Sequence, residues 1–240
     1  MENNNFKMGL RDGLPIALGY FAVSFGFGLL AVSEGLIWYQ ALLISMFNVT
    51  SAGQLAAVPI IVGCGSYFEL IAAQLVINSR YALMSVSLTQ RLGRGTKFID
   101  RFWIGFANTD EIFASAIGKE QMLGRKYMLG LVLLPYFGWT FGTLLGAAMG
   151  SILPPVIVTA LSVALYAMFV AIVLPAVKHN KKLILPVISA VALSTLFYYV
   201  PVLNKIPSGF IIVICTVAVS AAFALIAPIK EESEGVMNDG

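Results

Sequence analysis

The feature that most constrains this chain is a succession of apolar stretches, each long enough to span a bilayer. Residues 14–33, 36–62, 67–89, 128–150, 155–177, 183–203 and 208–229 are dominated by aliphatic residues, Phe and Gly. A helix needs about 20 mostly apolar residues to cross the hydrocarbon core, where its backbone polar groups must be satisfied internally. Composition agrees. Of 240 residues only 11% are charged and 59% are hydrophobic, whereas soluble domains carry about 25% charged residues. The expected fold is an all-α polytopic membrane protein with about seven transmembrane helices. It forms a single domain over 1–240, with a polar or broken second span and a disordered polar tail at about 230–240. Turn chemistry at Ser33-Glu34-Gly35, Gly63-Cys64-Gly65-Ser66, Leu153-Pro154-Pro155 and Asn204-Lys205-Ile206-Pro207 separates the segments.

Charge placement sets topology. The interruption at about 90–127 holds Arg91, Arg94, Lys97, Arg101, Lys119, Arg125 and Lys126, and a second cluster holds Lys178, His179, Lys181 and Lys182. By the positive-inside rule both are cytoplasmic, which also leaves the C-terminus inside. Three full spans before residue 90 place the N-terminus outside; a re-entrant hairpin at 36–62 places it inside. An internal echo favours full spans. Residues 14–31 and 134–150 both open on Leu-Pro and carry Phe-Gly, at Phe25-Gly26 and Phe141-Gly142. Two inverted three-helix repeats plus one helix follow from that echo, as in many transporters.

Several functions are excluded. No basic face with interleaved aromatics speaks for nucleic acid. Cys64 and Cys215 sit in separate apolar segments, and His179 is the only histidine. No metal site, cofactor, hydrolytic triad, HExxH, GxSxG or P-loop is expected, so the chain does not read as an enzyme. The N-terminus lacks the pattern of a cleaved signal peptide.

Three places carry polar chemistry at membrane depth. The run Asn48-Val49-Thr50-Ser51-Ala52-Gly53-Gln54 interrupts an apolar segment. It reads either as a discontinuous helix offering backbone and amide groups to substrate or as a close helix contact. Asn78-Ser79-Arg80-Tyr81 places a charge about 15 Å before the basic segment, too deep to snorkel, so Arg80 needs a partner or a wet cavity. That partner is a substrate carboxylate or a protein acid. Glu69, eleven residues earlier, is about 16 Å away on a straight helix and is excluded. Asp110-Glu111, flanked by Phe106 and Phe113, can couple protons or anchor Arg80; Asn108 or Thr109 can equally cap a helix start that favours acids. The glycine-rich face Gly13, Gly19, Gly26 and Gly28 reads as close packing or as an unwound first helix. The candidate substrate-binding residues are therefore Arg80, Asn78, Asn48, Ser51, Gly53 and Gln54, with Asp110 and Glu111 for coupling or ion pairing.

These motifs together resemble the AzlC-type branched-chain amino acid exporters, the large subunit of a two-component permease. The resemblance is carried by Gly13-Leu14-Pro15 with Phe25-Gly26, by Ser51-Ala52-Gly53-Gln54, by Ile77-Asn78-Ser79-Arg80 (close to Val-Asn-Leu-Arg), and by Asp110-Glu111-Ile112-Phe113-Ala114 (the Asp-Glu-x-Phe-Ala pattern). It spans nearly the whole chain. Ser79 replaces a usual leucine, and Asn48-Val49-Thr50 is unusually polar. The resemblance implies a secondary transporter in a bacterial cytoplasmic membrane that exports leucine, isoleucine, valine or related small amino acids. It also implies a small AzlD-type membrane subunit as partner. A channel for a small anion or neutral solute, and a non-transporting assembly subunit, are the alternatives.

Overall fold

The computed structural model describes residues 2–93, 95–150 and 152–226. The tail 230–240 and the side chains of Arg94 and His179 lie outside the described residues. The architecture is all-α, as expected. Among the described residues the ten α-helices are α1 (Phe6–Ser33), α2 (Trp38–Phe47), α3 (Ser51–Val62), α4 (Tyr67–Arg91), α5 (Phe98–Phe106), α6 (Asp110–Ile117), α7 (Arg125–Met149), α8 (Pro155–His179), α9 (Ile184–Tyr199) and α10 (Ser208–Ile226). Four of them, α1, α7, α9 with its leading turn, and α10, are long and apolar enough to cross a membrane on composition alone. The 25-residue α4 is equally long but carries Glu69, Arg80 and Arg91.

The centre of the molecule is the pair α1 and α7. Just before each helix, Glu2–Asn3 and Met122–Leu123 pair as two-residue parallel strands. The helices then run parallel, with Gly142 against Phe21 and Gly146 against Phe25. A Cβ on Gly13 would stand 2.6 Å from the Leu131 carbonyl oxygen, and one on Gly138 2.5 Å from that of Ala17. Only glycine permits this approach, and small residues are what lets helices associate in lipid. The glycine face of the first segment is thus a packing seam. α1 is continuous through Pro15 over 28 residues, and the idea of an unwound first helix is set aside.

Contacts along the α1–α7 pair orient everything else. Call the end bearing the strand pair the basic end. Leu88 and Leu92, at the close of α4, cluster there with Leu123 and Tyr127, so α4 runs towards the basic end. Leu161 and Leu165 of α8 lie against Gly26, and Val173 reaches the level of Gly19, so α8 runs the same way. Gly209, at the start of α10, donates its N–H to Glu69 near the start of α4, which sets α10 parallel to α4.

The second apolar segment departs from the seven-span expectation. It is broken, as its polar centre required, but it does not cross. α2 descends from the far end, where Trp38 lies near Ala148, to Ser45 beside Thr143. After the break at 48–50, α3 climbs back, so that Val58 rejoins Ala41, Leu30 and Leu36 in one cluster. Ten and twelve residues give each arm about 15–18 Å, half of a core of about 30 Å. The segment α5–α6 does the same from the basic end. Asp100 starts beside Arg125, Phe106 reaches Tyr20 and Trp139, and Ile112 and Ala116 return to the basic-end cluster.

Two corrections follow. The N-terminus lies at the same end as the basic segment 90–127, not opposite it. An inverted repeat exists, but not between residues 14–31 and 134–150, which lie parallel. The inverted units are a hairpin followed by a 25-residue helix: α2–α3–α4 entering from the far end and α5–α6–α7 from the basic end.

Candidate functional site

The tips of the two hairpins meet beside α1. Thr50 and Thr109 occupy the N-cap positions of α3 and α6, and both line a cavity of ≈ 370 Å³. The helix starts leave their first N–H groups without intrahelical acceptors, so each tip presents polar backbone to the cavity.

Arg80 reaches the cavity from α4 and pairs with Asp110 at the α6 start, Nη1 to Oδ2 2.6 Å. Its other terminal nitrogen donates to the Tyr81 hydroxyl at 3.0 Å. Both members of the ion pair keep about half of their side-chain surface exposed, 49% and 46%. The charges therefore face open space in the wall, not a closed core. Glu111 is the second acid in the cavity. Its Oε2 accepts from the Tyr20 hydroxyl at 2.5 Å, and among the described residues it forms no ion pair. The Tyr20 oxygen also lies 2.5 Å from Thr109 Oγ1. A phenol has one proton, so if it goes to the carboxylate, Thr109 donates to Tyr20. Thr109 thus holds the cap position without capping; its hydroxyl binds α1 instead.

Of the residues anticipated from sequence, Arg80, Ser51, Asp110 and Glu111 come together around this cavity. Asn48, Gly53, Gln54 and Asn78 do not line it. They build the seat of the α2–α3 hairpin. Asn48 and Asn78 both donate to Gln74 Oε1, at 3.0 Å each, and Gln74 donates in turn to the Gly53 carbonyl at 2.8 Å. Gln54, fully buried, donates to Ser45 Oγ at 2.5 Å, and Ser45 shares a hydrogen bond with Thr143 on α7 at 2.6 Å.

Sequence reading missed Tyr20, Tyr81 and Trp139 as site residues. Tyr20 and Trp139 stack edge to face, ring centroids 5.2 Å apart, and Tyr81 donates to Thr50 Oγ1 at 3.3 Å. Aromatics in apolar helices are ordinarily core, so residue type carried no signal. The usable signal was positional. Tyr81 and Trp139 each stand fourteen residues after the first residue of the long helix in their repeat. The cavity's apolar walls come from Ile16, Val23, Val49, Trp139 and Val173.

The family model for "AzlC protein" matches residues 15–153. This stretch contains α7 and both hairpins, and all of the cavity residues except Val173. An "Uncharacterized membrane protein" of Archaeoglobus fulgidus is 31% identical over 175 residues, 72% of this chain and 76% of that protein. "Inner membrane protein YgaZ" of Escherichia coli K12 is 30% identical over 202 residues, 80% of this chain and 82% of that protein. An "Uncharacterized membrane protein" of Helicobacter pylori is 28% identical over 155 residues, 62% of this chain and 67% of that protein. No solved structure matches. The chain belongs to the AzlC family of membrane proteins, a permease-type family and not an enzyme class.

Proposed function

We infer that this protein is a secondary transporter that exports branched-chain or related small neutral amino acids across the cytoplasmic membrane. The observation that carries this reading is the Arg80–Asp110 pair, with Glu111 beside it, in a small cavity between two hairpin tips that enter from opposite ends. A zwitterion needs a cation and an acid a few ångströms apart. Arg80 and the N–H groups of Ser51 and Ala52 at the α3 start suit a carboxylate. Glu111, unpaired with any cation, suits an ammonium. The apolar walls suit an aliphatic side chain, and ≈ 370 Å³ is near the small end of ligand pockets, about 300–1,000 Å³.

Outward transport and the small AzlD-type partner rest on the family resemblance. The exposed apolar surface of α9 and α10, which bury little of themselves in this chain, leaves room for such a partner. With the basic end cytoplasmic, the N-terminus and the end of α10 are on the inner side.

The test is efflux of radiolabelled leucine from proteoliposomes holding the full chain, with and without the candidate small subunit. Efflux stimulated by leucine outside is expected of a carrier. Efflux without such stimulation supports a channel, and none from any combination sinks the transport reading.

A further inference from the structure

Trp139 is 3% exposed and lines the cavity, yet its buried Nε1–H has no hydrogen-bond partner among the described residues. Leaving a buried donor unmatched forfeits its hydration with nothing in return, which is why native proteins rarely do it. The repeat shows how this N–H came to be spare. Tyr81, at the corresponding position of α4, gives its hydroxyl to Thr50 at the tip of its own hairpin. The corresponding tip residue, Thr109, is already bound by Tyr20 from α1. Trp139 is thus released from holding a hairpin. It clusters with Val49 and Tyr20, which places it beside the α3 start and its free N–H groups. Donors lining one cavity suit an anionic acceptor.

We propose that Trp139 Nε1–H is a donor to the substrate carboxylate, alongside Arg80 and the α3 start, and so a specificity-determining residue for an α-carboxylate. The inference rests on the transport reading above and sharpens it. Arginine alone fixes a charge. An indole N–H in a tight wall adds a direction, and a site built to hydrogen-bond one group rejects analogues lacking it. A competing account exists: the Trp139 and Tyr20 rings stand edge to face with centroids 5.2 Å apart, a geometry that allows a weak N–H···π contact. The two accounts predict opposite results for Trp139→Phe, which keeps an aromatic ring against Tyr20 and removes the donor.

Binding of leucine and of 3-methylbutylamine, which is leucine without its carboxylate, is measured by calorimetry on the detergent-solubilised full chain, alone and with the candidate small subunit, with melting temperature recorded unliganded. Wild type is expected to prefer leucine. Trp139→Phe should weaken leucine by about tenfold, the loss of one hydrogen bond to a charged group. It should leave the amine unchanged and leave the melting temperature equal or higher. Should the phenylalanine disturb packing, β-(3-benzothienyl)alanine at position 139 replaces N–H by sulfur at nearly constant shape and should give the same loss. Unchanged leucine affinity in both variants overturns the proposal, as does a lower melting temperature with unchanged affinity, which assigns the N–H to the Tyr20 ring. Wild type that binds leucine and the amine alike also overturns it. Wild type that binds neither removes the transport reading itself, and this inference with it.

Discussion

The two re-entrant hairpins share a shape and differ in what holds them. The outer one, α2–α3, is seated in apolar side chains of α1, α7 and α8 and in a neutral amide–hydroxyl network through Gln54, Ser45, Thr143 and Gln74. Among the described residues no ion pair reaches it. The inner one, α5–α6, packs Ile104, Ile112 and Ala116 into the basic-end cluster and is tied in addition by charge. Asp100 pairs with Arg125 at 2.7 Å, Lys119 with Asp12 at 2.8 Å, and Asp110 with Arg80 at 2.6 Å, while Arg91 donates to the Ile117 and Lys119 carbonyls. Close-packed apolar contacts and buried amides hold one arrangement and resist slow opening. Ion pairs of partly exposed side chains, Asp110–Arg80 and Asp12–Lys119, exchange partners at little cost, whereas Asp100, 3% exposed, is a fixed tie. The comparison points to the charged ties as the ones that salt and single charge changes can loosen, so the inner hairpin is expected to open more readily than the outer one.

The largest expected effect is at the tip. Arg80→Gln removes the cation assigned to the substrate carboxylate and breaks its pair with Asp110. Substrate affinity should fall by about ten- to a hundredfold, since hydrogen bonds to charged groups contribute about 1.5–3 kcal/mol. The unliganded melting temperature should barely move, because both side chains are half exposed. Arg80→Lys keeps charge but loses the planar fork and should fall nearly as far. Calorimetry on the Lys variant decides. Unchanged affinity removes Arg80 from the substrate site and makes the pair purely structural.

Gln54→Ala should behave in the opposite way. It empties space at a fully buried side chain and strands Ser45's share of the network. A stability loss of about 2–3 kcal/mol is expected, read as melting temperature. Transport per folded molecule should stay at wild-type level. A transport defect in fully folded Gln54→Ala protein would place the outer hairpin among the moving parts and break the comparison.

The entry directions are a binary test. Glu34 and Lys97 are exposed residues ahead of the outer and inner hairpins respectively. Glu34→Cys should react with a membrane-impermeant maleimide on intact cells, and Lys97→Cys only after permeabilisation. Lys7→Cys should follow Lys97→Cys. Reaction of Lys7→Cys from outside would return the second segment to a full span.

How much of this was legible without coordinates depends on residue type. The spans were legible because length and apolarity are additive along the chain, and the break at Asn48–Thr50 because polar residues at depth demand satisfaction. Arg80 and Asp110 stood out because a charge in an apolar run is costly. The direction of α3 was not legible. A broken span and a hairpin bury the same residues, and it is the return of α3 along α2, with Gln54 on Ser45 and Val58 in the cluster of Ala41, that tells them apart. The extension of α1 back to Phe6 hid behind Lys7, Arg11 and Asp12, which read as loop but stand at the basic end. The α1–α7 seam was written as Gly138, Gly142 and Gly146 at four-residue spacing, yet the Leu-Pro and Phe-Gly echo it shares with α1 was read as inversion. Like packing against like in parallel gives the same echo.

The smallest expected effect lies at the base of the inner hairpin, and it separates the two hairpins most directly. Asp12 accepts from Lys119 Nζ and, at 2.9 Å, from the Tyr127 hydroxyl, so one carboxylate ties the close of α6 to α1 and α7. Its side chain and that of Lys119 are 22% and 28% exposed, so the pair is worth at most about 1 kcal/mol, or about fivefold in an opening equilibrium. Asp12→Asn keeps the shape and drops the charge. Ala116, fully buried on α6, and Ala57, nearly so on α3, serve as cysteine probes of their own hairpins. In the Asp12→Asn background, labelling of Ala116→Cys from the basic end should rise by up to about fivefold, and that of Ala57→Cys from the far end should not change. Added salt should reproduce part of the first effect and none of the second, since screening acts on the rim pair and not on buried amides. Equal increases at both probes would mean that the hairpins open together, and that the charge at one base is no more than a general contribution to stability.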